Sequence, residues 1–166
     1  MADAVDSVIE QWRRERPELD VWPTGVVARV QRLARLLDKD LKEFFARHGL
    51  ETWEFDVLTT LRRSGAPYEL TAGAITSAAM VTSGAITNRI DRLEAKGLVE
   101  RARTAEDRRT VRIRLTGAGR ELVDELMGLH AANEARMLSA LGRADCDRLA
   151  DALRTLLESF GDKPLK

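Results

Sequence analysis

The segment from residue 82 to residue 92 combines short polar side chains with an apolar stripe. At 100° per residue, Ile86, Ile90 and Leu93 share one face of a helix, and the polar side chains lie towards the other. A helix that enters the major groove of a duplex needs short side chains near its amino end and hydrogen-bonding groups to read base edges. The residues that meet this need are Thr82, Ser83, Gly84, Thr87 and Asn88. Arg92 lies on the exposed side of the same helix and is a further candidate for DNA contact. The pattern suits contacts to DNA bases, although any amphipathic helix has a solvated face, so the neighbouring elements decide between the two interpretations.

Positive charge is concentrated around this segment. The whole chain has 27 basic and 27 acidic residues, and its net charge is zero. Residues 86–114, however, contain nine basic residues against five acidic ones. Arg108 and Arg109 fall in a polar tip between two alternating segments, where they can reach phosphates or a minor groove. Asp107 is placed to orient Arg109 by a surface ion pair.

Other kinds of chemistry find little support in the sequence. There is no phosphate-binding glycine loop, no short-spaced metal-ligand cluster and no nucleophile with a neighbouring base. His48 and His130 are far apart, and Cys146 is the only cysteine. We therefore expect no enzyme activity, no metal and no cofactor. No apolar run is long enough to span a bilayer, which favours a cytoplasmic protein without membrane contact.

The elements that would position these residues are mostly helices. Apolar residues at helical spacing predict a short helix ending before Pro17, a longer helix up to Gly49, and a third over residues 51–63. A repeat follows, because 70–76 resembles 81–87, and a threonine in each copy, Thr71 and Thr82, can cap a helix. The first of these helices must be short and the second runs to Gly97, which is the spacing of a helix-turn-helix.

A β-hairpin follows the helix-turn-helix. Residues 98–101 and 111–115 alternate as strands do, and residues 104–110 form the charged tip between them. Two further helices, over 119–141 and 145–160, complete the chain. The fold class predicted from these elements is mainly α with a small β-hairpin wing, that is, a winged helix-turn-helix.

The sequence resembles the MarR family of transcription regulators. The resemblance lies in the run from Thr82 to Glu94, in Gly97-Leu98-Val99, in Asp107-Arg108-Arg109 and in Leu115-Thr116. It implies one MarR-type subunit over 1–166, with a DNA-binding lobe at 51–116 and mainly dimerisation helices at 1–48 and 117–166. It also implies a homodimer that binds a pseudo-palindromic operator in double-stranded DNA, because two-fold symmetry places two reading helices in successive major grooves.

A carboxylate and an arginine suggest a second site. Asp56 lies at the margin of an apolar helix face and needs a partner if buried. Arg89 lies beside the apolar stripe of its helix, so it is aimed inward and can pair with Asp56. From spacing alone, an ordinary ion pair that ties two helices together explains both residues.

The resemblance extends to one subgroup of the family. An amino-terminal helix with Trp12, together with Asp56, Arg89 and Arg101, is similar to the urate-responsive MarR regulators, in which matching positions bind an anion. This implies that a small anionic or aromatic ligand stacks on Trp12, binds both arginines and displaces Asp56, although Trp12 is equally consistent with dimer packing. A related subgroup responds to citrate or aconitate, and phenolic acids are further alternatives. The main alternative function is a winged-helix protein-interaction module without ligand response.

Overall fold

A computed structural model of the chain describes residues 2–78, 86–103 and 110–164. The chain divides into two compact units, residues 1–47 and residues 48–166. The described residues form mainly helices, together with one small antiparallel sheet, as the sequence predicted. Across the same three stretches, we find no helix with the length and apolar character that crossing a bilayer requires.

The first unit consists of two helices, α1 (Ala4–Glu15) and α2 (Trp22–Arg47). Asp3 caps α1, because its side chain accepts hydrogen bonds from the backbone nitrogens of Val5 and Asp6. Arg29 of α2 binds Asp3 at 2.8 Å and Asp6 at 2.6 Å, so one guanidinium ties the start of α1 to α2. Hydrogen bonds from backbone nitrogens, followed by those from Arg29, lower the pKa of both carboxyl groups below their ordinary value.

The second unit contains both helices of the predicted helix-turn-helix and both strands of the predicted wing. Its elements in chain order are α3 (Thr52–Arg63), β1 (Glu69–Thr71), α4 (Ala72–Ala78), α5 (Ile86–Ala95), β2 (Val99–Arg103), β3 (Val111–Leu115), α6 (Gly117–Met137) and α7 (Arg143–Ser159). The cap predicted at Thr71 is confirmed, since its Oγ1 accepts a hydrogen bond from the backbone nitrogen of Ala74 at 3.1 Å. The cap predicted at Thr82 and the ion pair predicted between Asp107 and Arg109 lie outside the described residues.

The sheet has three strands, in the order β1, β3, β2, whereas the sequence predicted only the β2–β3 hairpin. All pairings are antiparallel; Ile113 lies opposite Leu70 on one side and Arg101 on the other. β1 has three residues, which is too short for an alternating pattern to be recognised. This strand joins the segment before α4 to the wing.

A continuous apolar core supports the helix-turn-helix. Its fully buried side chains include Leu58, Leu61, Ile75, Ile90, Leu93, Val99, Ile113 and Leu126. Helix α6 approaches the wing closely at Gly119, where a Cβ atom would lie 2.0 Å from the carbonyl oxygen of Leu98. Only glycine fits at that position without displacing backbone.

Candidate nucleic-acid interface and ligand site

Helix α5 presents two different faces. Ile90 and Leu93 are buried in the core, as the apolar stripe predicted. Thr87 and Asn88 are exposed in the first turn of the helix as described. They are therefore available to a partner in solution. Of the other residues predicted to contact DNA, Thr82, Ser83, Gly84, Arg108 and Arg109 lie outside the described residues.

Arg92 is bound to the first turn of α3. It forms an ion pair with Glu51, and its Cζ atom lies 5.1 Å from the ring centroid of Trp53. The hydrogen bond from Arg92, followed by one from Nε1 of Trp53 at 2.6 Å, lowers the pKa of Glu51 below its ordinary value. The same bond raises the pKa of Arg92. A contact from Arg92 to a phosphate would thus compete with its contacts to α3.

Arg89 and Lys96 also contact this part of α3. The Cζ atom of Arg89 lies 5.2 Å from the ring centroid of Trp53, within the range of a cation–π interaction. Nζ of Lys96 lies 2.6 Å from Oε2 of Glu54. Positions 89, 92 and 96 follow i, i+3 and i+7 spacing, so two residues of α5 and the residue directly after it direct three cations at a single end of α3.

The four predicted ligand residues fall into three surroundings. Asp56 and Arg89 are half-buried, and Arg89 contacts the helix that carries Asp56. Arg101, in β2, forms ion pairs with Asp91 and Glu94 of α5, and its bond to Asp91 raises its pKa. Trp12 belongs to the first unit, where its side chain is exposed on α1.

The sequence analysis did not identify several residues that connect α5 and the wing to the rest of the unit. At the start of α3 these are Glu51, Trp53 and Glu54, and the signals for them were the Glu-x-x-Glu spacing of a capping box and the basic stripe of α5. On the sheet, Glu69 of β1 binds Arg114 at 2.7 Å and lies 3.8 Å from Arg112. The local sequence could not predict the contacts of Glu69 with these arginines, because they depend on the pairing of β1 with β3.

Known proteins with this fold include many regulators. A family model described as "MarR family" matches residues 48–110. The transcriptional regulator PecS of Dickeya dadantii (strain 3937) is 41% identical over 135 residues, which cover 81% of each chain. That identity and coverage decide the family. The chain belongs to the MarR family.

Two solved structures illustrate the fold of this MarR-family chain. A cysteine-to-serine variant of E. coli MarR in complex with operator DNA has a TM-score of 0.67 and 21% identity, covering 94% of this chain and 99% of that one. Bordetella bronchiseptica BpsR, whose DNA binding is regulated by 6-hydroxynicotinic acid, has a TM-score of 0.68 and 23% identity, covering 84% and 94%. At these identities the similarity shows the winged-helix fold alone.

The family assignment gives the general function. This MarR-family chain is a DNA-binding transcription regulator, and its family and its relatives are regulators rather than enzymes. Among the residues that the structure describes, no cluster of three or more His, Cys, Asp or Glu side chains could hold a metal ion.

Proposed function

We propose that this protein is a cytoplasmic repressor that reads a pseudo-palindromic operator as a homodimer and is released by a small organic anion. The DNA-binding part of this proposal rests on the two faces of α5. One face is a buried apolar stripe, and the other has an exposed first turn with Thr87 and Asn88. Short polar side chains at this place can approach base edges, while phosphate contacts would come from basic residues nearby. Residues 51–116 form the DNA-binding lobe in this proposal.

The test of DNA reading is a gel shift with the DNA that flanks the gene. Thr87→Ala and Asn88→Ala should each weaken binding to the operator by about 5- to 150-fold, since one lost base contact costs about 1–3 kcal/mol. Binding to a scrambled duplex should change little, because that binding depends on phosphates. Thr155→Ala is a matched control, because Thr155 is an exposed threonine on α7, outside the proposed DNA-binding lobe. Salt-insensitive or absent binding would favour a protein-interaction module instead. Equal loss on both duplexes would mean that Thr87 and Asn88 do not read base edges.

Exposed apolar side chains support the homodimer. In the first unit α2 exposes Trp22, Val26, Val27, Val30, Leu33 and Leu36, and in the second unit α7 exposes Leu149, Leu156 and Leu157. Apolar surface of this extent on a helix is typical of an interface. We therefore assign residues 1–48 and 117–166 mainly to dimerisation.

Contacts around Arg89 support the ligand-binding half of the proposal. Arg89 lies over Trp53, and Asp56 follows Trp53 by three residues on α3, so the two side chains lie on the same side of that helix. A planar anion needs an arginine as counter-charge and an aromatic face. In the proposed site Arg89 and Arg101 contact the ligand, and the ligand repels Asp56. Loss of pairing between Asp56 and Arg89 would then move α5, to which Arg89 belongs.

Regulation of BpsR by an aromatic acid supports this ligand class, and urate, citrate and aconitate are the other candidates. Each should be titrated against the operator complex of the wild-type protein, of Asp56→Asn and of Arg89→Ala. We expect at least a tenfold higher concentration for release in both variants. Asp147→Asn is the matched carboxylate control. Release by an active ligand at unchanged concentration in both variants would exclude this mechanism and leave Asp56 and Arg89 with a structural role.

A further inference from the structure

One carboxylate of the second unit is completely buried. Glu54, in the first turn of α3, has a side chain with 0% exposure. Burial of a charge is costly unless the charge is paired and hydrogen-bonded. Oε2 of Glu54 accepts two hydrogen bonds, from the backbone nitrogen of Glu51 at 2.8 Å and from Nζ of Lys96 at 2.6 Å. Both donors converge on a single oxygen.

The second oxygen of this carboxylate is not satisfied. In the part of the chain that the structure describes, Oε1 of Glu54 is buried and accepts no hydrogen bond. A buried acceptor without a donor lowers stability. The unpaired oxygen therefore offsets part of what the capping bond and the ion pair at Oε2 contribute to stability. Buried ionic groups can also specify one arrangement of the elements that they join.

Lys96, which directly follows α5, joins the carboxyl end of this helix to α3 and to the turn before it. Besides Glu54, its Nζ donates to the carbonyl oxygen of Gly49 at 2.9 Å, just before α3. The next residue, Gly97, accepts a hydrogen bond from Oγ1 of Thr116 at 2.7 Å, at the start of α6. Lys96 and Gly97 thus attach the carboxyl end of α5 to the start of α3 and to the start of α6.

This arrangement differs from that of a lysine that binds phosphate. Nζ of Lys96 already has a carboxylate and a carbonyl as partners, and its side chain is 36% exposed. A phosphate-binding lysine gains from a free ammonium group, whereas this one is engaged within the protein. The charge of Lys96 is consequently directed at α3.

We propose that Glu54 and Lys96 are positioning residues for operator binding. Their ion pair holds the carboxyl end of α5 against α3, so that Thr87 and Asn88 meet the bases in one orientation. This inference rests on the assignment of α5 as the helix that reads the operator. Base reading requires a defined orientation of the helix, whereas contact with phosphates on any sequence tolerates small rotations.

The test compares Glu54→Gln and Lys96→Met with an exposed glutamate–lysine pair. Lys39 and Glu43 of α2 lie 3.9 Å apart with side chains 74% and 60% exposed, so Lys39→Met and Glu43→Gln change the same charges outside α5. For each full-length variant, affinity is measured for the operator and for a scrambled duplex over a range of salt concentrations. Thermal unfolding establishes that each variant is folded at the assay temperature.

We expect both Glu54→Gln and Lys96→Met to weaken operator binding at least tenfold, while affinity for the scrambled duplex stays within about twofold of the matched controls. The double variant should lose no more than the more affected single variant, because the two residues act as one unit. A phosphate role for Lys96 predicts the opposite for Glu54→Gln. Operator affinity would then rise, since the lysine is released, and the salt dependence would fall by about one charge in Lys96→Met.

Glu54→Gln keeps the shape and an acceptor oxygen for the cap, so it remains decisive if Lys96→Met does not fold. Unchanged or stronger operator binding by folded Glu54→Gln would overturn the inference. Equal loss on both duplexes would overturn it as well. If the wild-type protein binds no operator, the proposed function itself is wrong, and that result is seen before any variant is made.

Discussion

The guanidinium group of Arg92 lies over the indole ring of Trp53, with its Cζ atom 5.1 Å from the ring centroid. Arg89, one turn earlier on α5, lies 5.2 Å from the same ring. The position of the helix proposed to read DNA therefore depends on an aromatic side chain of α3. Nε1 of Trp53 in turn donates to Oε2 of Glu51 at 2.6 Å, which orients the ring.

Removal of the aromatic face at position 53 should loosen α5. Trp53→Leu keeps an apolar side chain but removes two cation–π contacts, each worth about 0.5–1 kcal/mol at an exposed site. We expect the free energy of unfolding to fall by about 1–2 kcal/mol in chemical denaturation. Trp53→Phe keeps an aromatic face and should lose about half as much. Equal losses in the two variants would mean that packing, and not the cations, accounts for the effect.

Stability on the acid side should depend on Glu51. Its pKa is lowered from the ordinary 4.5, mainly by Arg92, so its charge stabilises the folded state above that pH. The contribution decreases as pH falls below 4.5 and disappears once the carboxylate is protonated in the folded state as well. Glu51→Gln should therefore show a flatter decline of stability in urea titrations below this pH.

Arg92→Gln provides the complementary variant, because it removes the group that lowers the pKa of Glu51 most. Arg92→Gln should flatten the same part of the pH profile, and the double variant should flatten it no further than Glu51→Gln alone. A steep acid decline that persists in Glu51→Gln would show that other carboxylates control it, and Asp3 and Asp6, whose pKa values are also lowered, would be the next to test.

The close approach of α6 to the wing should make Gly119 intolerant of substitution. In Gly119→Ala the new Cβ would lie 2.0 Å from the carbonyl oxygen of Leu98 and 3.1 Å from Cδ2 of Leu115, so backbone has to move. We expect a loss of about 3 kcal/mol in the free energy of unfolding. Gly128→Ala in the same helix meets nothing within 4 Å and should gain up to about 1 kcal/mol. Similar effects in both variants would contradict the close approach.

The parts of the fold that could be predicted are those with a local signal. The stripe of Ile86, Ile90 and Leu93 predicted the buried face of α5, and Ile90 and Leu93 are indeed buried. The wing followed from strand alternation, and the cap at Thr71 from its residue type. β1 was missed because a three-residue strand forms only when β3 is already present beside it.

The interior of the candidate site was less predictable. The position of Arg89 beside the apolar stripe predicted that its side chain points into the protein. Nothing in the neighbouring sequence indicated that it would contact the ring of Trp53. Arg101 was predicted from family resemblance, and its two carboxylate partners on α5 depend on how β2 returns past that helix. Such contacts join residues on different elements, so they require the tertiary arrangement, which periodicity does not contain.

The carboxyl end of α7 allows a direct test of the proposed homodimer. Phe160 follows α7 with 88% of its surface exposed, and Leu156 and Leu157 precede it. Burial of a phenylalanine is worth about 1.5–3 kcal/mol, and a two-fold interface counts each contact twice. Phe160→Glu should consequently raise the dimer dissociation constant by at least about 100-fold, measured by sedimentation equilibrium.

Thr155→Glu introduces the same charge at an exposed polar position of α7 and should leave the dimer intact. Loss of the dimer should also weaken operator binding, because two reading helices can then no longer engage successive major grooves as one unit. The two effects should therefore appear together in Phe160→Glu. A dimer that persists in Phe160→Glu would place the subunit contact elsewhere on the chain. A monomeric variant with full operator affinity would exclude cooperative reading of two half-sites.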